Sequence, residues 1–439
     1  MKKFLSIFLV TLMLLATIST AAFAGDAKQL QFNSDGKFRI VHLTDIQDGY
    51  PMVETTKVYI NEMLKTLKPD LVVLGGDNTV AGLEGDDNYT VIEGEKVCYD
   101  DLSDEQFALV EDEYIEKVKK VKESAIKEIA DIFVENQTYF TLVFGNHDHQ
   151  QFGRNSEINC EKNKEYLLSL YQKFGGEYCL AYDADKSLFG VGTHNLTVLS
   201  SDGSKVAYNL YIMDSNTYYE DKGYDAVHPD QIAWYEGVSA SLKEANGGTA
   251  VPAMMFQHII VQEAYDSLFI ASPFSWGDIG EDFEGVEKEG VYHFSYLPKV
   301  ANIKDGYLFE KCCPGYYNYG QFSSLVKTGD VKAIFSGHDH TNNFTITIDG
   351  IDVINTGGCT YNSYGSDLNR GVRVIDLDEK DTSTYSTYTY TVAEAALVDG
   401  SDITNHGDIT KTEAGFALFG IKFMDALVAV LRVIFFLVK

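Results

Sequence analysis

Tyr139-Phe140-Thr141-Leu142-Val143-Phe144-Gly145-Asn146-His147-Asp148 is the stretch from which the rest of the chain can be read. Its first six residues are aromatic, β-branched or aliphatic, which is strand composition at strand length. A glycine then permits a tight turn. Asn146, His147 and Asp148 follow at once, and each can bind a metal ion or move a proton. Working outward, the same succession recurs four times. Asp45-Ile46-Gln47 follows a strand predicted at Phe38–Leu43, and Gly76-Asp77-Asn78 follows one at Leu71–Leu74. Gln257-His258 follows Val251–Phe256, and Gly337-His338-Asp339-His340 follows Val331–Phe335. Further strands are predicted at Asn209–Met213, Asp352–Ile354 and Val372–Ile375. Helices are predicted at Thr55–Leu67, Asp104–Glu135, Glu161–Lys173 and Pro229–Ala245, the last opening on a proline as helices often do. Strands alternating with helices predict an α/β domain, and no internal repeat interrupts it. Groups at the carboxyl ends of such strands converge on one sheet edge. Oxygen and imidazole ligands gathered there suit iron, manganese, zinc or magnesium.

These motifs, in this order, are similar to the signature of the calcineurin-like metallophosphoesterases, which runs D-x-H, G-D, G-N-H-D/E, H, G-H-x-H. The resemblance covers roughly residues 38–344 and weakens toward Asp378. It is narrower toward the short branch related to purple acid phosphatases, through Met213-Asp214-Ser215, the helix bearing Gln231 and Trp234, and Phe335-Ser-Gly-His-Asp-His-Thr-Asn-Asn-Phe344. The resemblance implies a two-sheet β-sandwich flanked by helices, the αββα architecture of metallophosphoesterases. It implies two divalent or trivalent metal ions (Fe, Mn, Zn or Mg). The first is expected on Asp45, Gln47, Asp77 and His340, the second on Asp77, Asn146, His258 and His338, with Asp77 bridging. A hydroxide shared between the metals would attack phosphorus in line. His147 is expected beside the leaving oxygen, with Asp148 orienting its ring. The implied activity is metal-dependent hydrolysis of phosphate esters, monoesters slightly ahead of diesters.

Two positions depart from the family pattern. Gln47 stands where D-x-H has its histidine, and its amide oxygen is a harder, weaker ligand than imidazole, which favours iron, manganese or magnesium at the first site. Val80 stands where purple acid phosphatases carry a metal-binding tyrosine, so no tyrosinate–iron colour is expected. Gln47 also motivates a rival: a non-catalytic extracellular binding module that keeps the fold. Ser215 lacks the G-x-S-x-G setting of a serine nucleophile. Among the other histidines, His42 reads as structural, His149 as a residue that could line the mouth, and His194, His228, His293 and His406 have no evident partner.

Composition bounds the rest. The 439 residues carry a net charge of −30, which disfavours nucleic acid as a partner. Lys2 and Lys3, the apolar run Phe4–Ile18 and Ala22-Phe23-Ala24 read as a signal peptide over residues 1–24, so the protein is expected to be secreted or extracytoplasmic. Six cysteines permit disulfides there, with the pairing open. The phosphoesterase domain is expected over 25–390, a linker over 391–412, and an amphipathic helix over 413–439. Glu84–Glu113 reads as an acidic surface loop running into a helix. Gln262–Gly320, rich in aromatics and glycine, reads either as a cap over the site or as a loop packed on itself. In the tail, Lys422, Asp425, Arg432 and Lys439 form one polar stripe on an apolar helix. That pattern allows a helix lying on a membrane surface, one docked on the core, or a span.

Overall fold

A computed structural model of the chain describes residues 28–268, 270–271, 294–295 and 302–437. The leader over 1–24, His293, and about half of the aromatic insertion (including Phe269, Phe274, Trp276 and Tyr292) lie outside the described residues. In chain order the main elements are β1 (Leu30–Gln31), β2 (Lys37–Leu43), α1 (Glu54–Leu67), β3 (Leu71–Gly75), α2 (Asp104–Glu135), β4 (Phe140–Val143), α3 (Cys160–Gly175), β5 (His194–Leu199) and β6 (Val206–Ile212). There follow α4 (Pro229–Ala245), β7 (Ala253–Phe256), β8 (Ile303–Tyr307), α5 (Gln321–Thr328), β9 (Val331–Ser336), β10 (Asn343–Ile348), β11 (Ile351–Asn355), β12 (Gly371–Asp378), β13 (Tyr385–Thr391) and α6 (Lys411–Leu437).

The strands form two principal sheets. One has five strands in the order β13-β12-β2-β3-β4, the other eight in the order β1-β5-β6-β7-β9-β11-β10-β8. The period-two alternation of side chains explains how they stack. In β2, Phe38 and Ile40 enter the core between the sheets with Leu210, Met254 and Phe335 of the larger sheet. Val41 and Leu43 point the other way, into a second core shared with α1, α2 and α3. Tyr211 and Met255 on the outer face of the larger sheet meet Tyr235 of α4 and Phe322 of α5. The result is a helix–sheet–sheet–helix sandwich, as the resemblance implies. Within each sheet, β2-β3-β4 and β6-β7-β9-β11 run parallel, so their carboxyl ends point one way.

Two segments differ from expectation, and a third takes one of the alternatives open to it. Glu84–Glu113 is not a loop up to its helix: Tyr89–Ile92 pairs with Glu95–Cys98 in a hairpin, turned by Glu93 and Gly94 at positive φ. Tyr99, Leu102 and Phe107 then bury one another in a small core of their own. The segment expected to be a linker, 391–412, is packed instead. Val392–Ala396 forms a short helix, and Ile403 and Ile409 are buried in the same core as α1. Ile403 and Ile409 are isolated among polar residues, which hides their burial from pattern reading. Finally, α6 is docked along one face, through Ala414 and Ala417, and no helix among the described residues is long and apolar enough to cross a membrane. Among the described residues no disulfide joins the six cysteines.

Candidate metal centre

The five motifs converge beyond the carboxyl ends of β2, β3, β4, β7 and β9. Asp45, Gln47, Asp77, Asn146, His258, His338 and His340 are all buried there. The backbone is contorted to bring them in. Asp45, Gln47, Asp77 and His338 have φ of 53°, 40°, 48° and 73°, a left-handed conformation that non-glycine residues seldom adopt outside functional turns. Two motif glycines are dictated by close approach. A Cβ on Gly145 would stand 2.1 Å from Asp77 Oδ1, and one on Gly337 would stand 2.0 Å from Thr44 Oγ1.

Asp77 is the hub. Its Oδ2 lies 3.3 Å from His258 Nε2 and accepts from Gln47 Nε2 at 3.0 Å. Its Oδ1 accepts the His147 backbone N–H at 2.7 Å. One ligand atom each from Asp77, His258 and His338 fall within 4.8 Å of one another. On the other side, His340 Nε2 lies 3.3 Å from Asp45 Oδ1, and Asp45 Oδ2 accepts from the Thr44 hydroxyl and the His338 backbone N–H. The second ring nitrogens are fixed by carbonyls: His258 Nδ1 donates to Gly75 O at 2.9 Å and His340 Nδ1 to Tyr364 O at 3.1 Å. Both histidines thereby turn Nε2 toward the carboxylates, the usual way a ligating ring is held. Tyr364 also stacks on His340, ring centres 4.2 Å apart.

Electrostatics follow from the pairing. Burial alone would raise the Asp77 carboxyl, but His258 and His147 outweigh it and hold it well below the usual range. Burial likewise opposes charge on His258, and Asp77 overcomes it, raising the ring to about 10. Asp45 is lowered against its burial by His340. Burial, then repulsion from His258, pushes His338 down to about 3. The cluster is a set of buried anions and imidazoles arranged around a place for positive charge.

Whether cations suit that place is answered by three buried atoms. Asn146 Oδ1 has no hydrogen-bond partner among the described residues, and Asp45 Oδ1 and His258 Nε2 have none beyond their 3.3 Å approaches to His340 and Asp77. Buried polar atoms are nearly always satisfied, and these three are all ligand atoms of the expected type. The residues fit two metal ions. Gln47 fits least directly, because its amide nitrogen faces Asp77; a half-turn of the amide presents Oε1 instead.

Two expectations about this turn are corrected. Asp148 does not orient His147. Its carboxylate accepts three backbone N–H groups, from Asn78 at 2.8 Å, Thr79 at 3.1 Å and Gly145 at 2.8 Å, and so ties the β3 and β4 turns together. The His147 ring is instead held through Nδ1 by Gln150 Oε1 at 3.0 Å, while Nε2 points inward, 3.9 Å from Asp77 Oδ2. His149 does not line the mouth: it is buried and bonded to Glu157 at 2.9 Å. His42 is buried against Thr356, as a structural residue should be. His194 meets Thr141 and the Gly192 carbonyl, His228 meets Asp225, and His406 lies 3.3 Å from Asp402.

Tyr218 and Gln150 were invisible to motif reading. Tyr218 begins a short hairpin, Tyr218–Tyr219 with Gly223–Tyr224, that overhangs the site. Its hydroxyl accepts from Asn146 Nδ2 at 3.0 Å, which turns Asn146 Oδ1 toward the cluster, and it lies within hydrogen-bonding reach of Gln150. Tyr224 packs edge-on against His338, centres 4.2 Å apart. A tyrosine followed by another tyrosine in a loop carries no recognisable pattern.

A sandwich whose parallel strands deliver carboxylates, an asparagine and histidines to one buried cluster defines a metallophosphoesterase-type fold. A family model described as calcineurin-like phosphoesterase matches residues 38–246. Over those residues the chain is similar to the calcineurin-like phosphoesterase superfamily. It is 25% identical over 403 residues to a probable inactive purple acid phosphatase 14 of Arabidopsis thaliana, covering 84% of this chain and 82% of that protein. It is 24% identical over 344 residues to phosphatase DCR2 of Saccharomyces cerevisiae, covering 74% of this chain and 47% of that protein. Among solved structures, a dimetal phosphatase from Danio rerio aligns over 81% of this chain and 99% of its own, at 10% identity and a TM-score of 0.37, too low to bear on function.

Proposed function

We propose that this protein hydrolyses phosphate esters at a dinuclear metal site, monoesters ahead of diesters, outside the cytoplasm. The observation that carries the reading is the trio of buried ligand atoms on Asp45, Asn146 and His258 that the surrounding residues leave under-satisfied. Asp45, Gln47, Asp77 and His340 would hold one cation, and Asp77, Asn146, His258 and His338 the other. When bound, such a pair supplies Lewis acidity that activates water and takes up charge on phosphoryl oxygens. His147 is the group placed to serve the leaving oxygen: its side chain is 37% exposed at the rim of an otherwise buried cluster. Gln150 fixes the ring so that Nε2 is the atom that delivers the proton. Asp148 keeps the turn rigid from beneath, and buried Lys122 donates to the Asp148 and Thr79 carbonyls.

The test is turnover of a chromogenic phosphate monoester and its diester by metal-stripped protein, with manganese, iron, zinc or magnesium restored in turn. Metal-dependent turnover lost in His258→Ala and Asn146→Ala is the expected result. The second reading is a binding module without catalysis. It is favoured by Gln47, whose amide N–H occupies Asp77 Oδ2, and by the word inactive in the name of the Arabidopsis relative. It predicts no turnover with any metal and no gain on Gln47→His.

A further inference from the structure

The C-terminal helix has two opposite apolar faces, and the fold covers only one. Inward, Ala414 and Ala417 are buried in the core, and Ile421 O accepts from the Tyr307 hydroxyl at 3.1 Å. Tyr307 also bonds Asp425, which ties that exposed member of the polar stripe to the domain. Outward, Phe416, Phe419, Phe423, Leu427 and Val430 are 71, 68, 58, 39 and 55% exposed. Their spacing of three, four, four and three residues lays them along a single stripe of the helix. Contiguous exposed apolar surface on this scale marks an interaction site.

Charge selects the occupant. Residues 411–439 hold four cations (Lys411, Lys422, Arg432, Lys439) against two acids (Glu413, Asp425), in a chain whose net charge is −30. A second copy would bring that same net charge toward itself. An anionic lipid surface meets a segment of net positive charge, takes the phenylalanine stripe into its acyl boundary, and leaves exposed Lys422 beside it at the headgroups.

The position of the helix adds to this. Gly420 lies against Leu368, close enough that an added Cβ would stand 2.8 Å from its Cδ2. Leu368 belongs to the loop whose Tyr364 carbonyl and ring hold His340. Tyr307, bonded to the helix, stacks on Phe309, and the neighbouring Glu310 accepts from the Tyr364 hydroxyl at 3.2 Å. The helix is therefore built onto the rim of the first metal site.

We propose that α6 is an anchor for anionic membrane surfaces and that it holds the His340 rim of the site beside the bilayer. The second clause rests on the phosphoesterase reading above, and makes phosphate esters displayed at a lipid surface the favoured substrates. The test is cosedimentation of the full chain with vesicles of phosphatidylcholine alone and with added phosphatidylglycerol, beside turnover of a soluble chromogenic ester. The comparison is the variant Phe419→Ser with Phe423→Ser, two exposed positions whose replacement leaves the core intact. Expected are at least tenfold greater partitioning onto the phosphatidylglycerol vesicles, a tenfold or greater loss of it in the double variant, and unchanged soluble turnover. Equal partitioning by both proteins, or none by either, overturns the anchor. Concentration-dependent dimerisation abolished by the double variant, without vesicle binding, overturns it in favour of a second copy. Vesicle binding with no turnover of any ester keeps the anchor and removes the phosphoesterase reading and the substrate class built on it.

Discussion

Asp148 and Tyr218 exchange the roles that adjacency in sequence suggests. A carboxylate next to a histidine looks like its orienting partner, yet the turn aims Asp148 at three backbone N–H groups. Asp148→Ala is expected to destabilise the fold by about 3 kcal/mol, since it strands those donors and removes charge-assisted bonds. Urea unfolding checks this; an unchanged midpoint would return Asp148 to a purely catalytic role. Tyr218, conversely, holds the amide of a candidate ligand. Tyr218→Phe is expected to weaken manganese binding at the second site about tenfold, the usual effect of losing a group that orients a ligand. Calorimetric metal titration would show it, with an unchanged melting temperature in the metal-free state. The seven candidate ligands were legible because each sits in a short motif directly after a strand. Tyr218 and Gln150 were not, because a single polar residue in a loop acquires its meaning only from what folds over it.

Regular elements with strong periodicity were read almost to the residue, as Asp104–Glu135 and Pro229–Ala245 show. The losses came where burial rests on a few isolated apolar residues. Ile403 is one of them: a linker would leave it exposed, but it is fully buried beside α1. Ile403→Ala is expected to cost about 3 kcal/mol by cavity formation, measured by chemical denaturation, against almost nothing for a linker residue. β5 was also missed, its residues being half polar, and it carries a testable contact between the sheets. His194 at its start bonds Thr141 of β4, and burial lowers its ring to about 4. A depressed histidine binds its proton later in the folded than in the unfolded state. Stability is therefore intact above about pH 6.5 and is lost as pH falls toward 4, by about 1.4 kcal/mol per unit. His194→Asn should flatten the decline in unfolding free energy between pH 6.5 and 5; parallel curves would show that another group controls it.

At the scale of the molecule, two sheets meet so that their parallel strands end together, and a strongly acidic chain gathers four carboxyl or amide groups and three imidazoles at that edge. The arrangement is costly without positive charge and coherent with it. The α/β class was legible from the alternation of strands and helices and the sandwich from the family resemblance that the motifs carry, while the docking of α6 stayed one reading of three, because its inward residues are small alanines and its large ones face out. The central claim is that two cations complete this site and make it hydrolytic. Its most direct test is to titrate metal-free protein with manganese while following hydrolysis of a chromogenic phosphate monoester. Turnover that rises to a plateau at two equivalents per chain is the expected result. A plateau at one equivalent, or saturation of binding with no turnover, would contradict it.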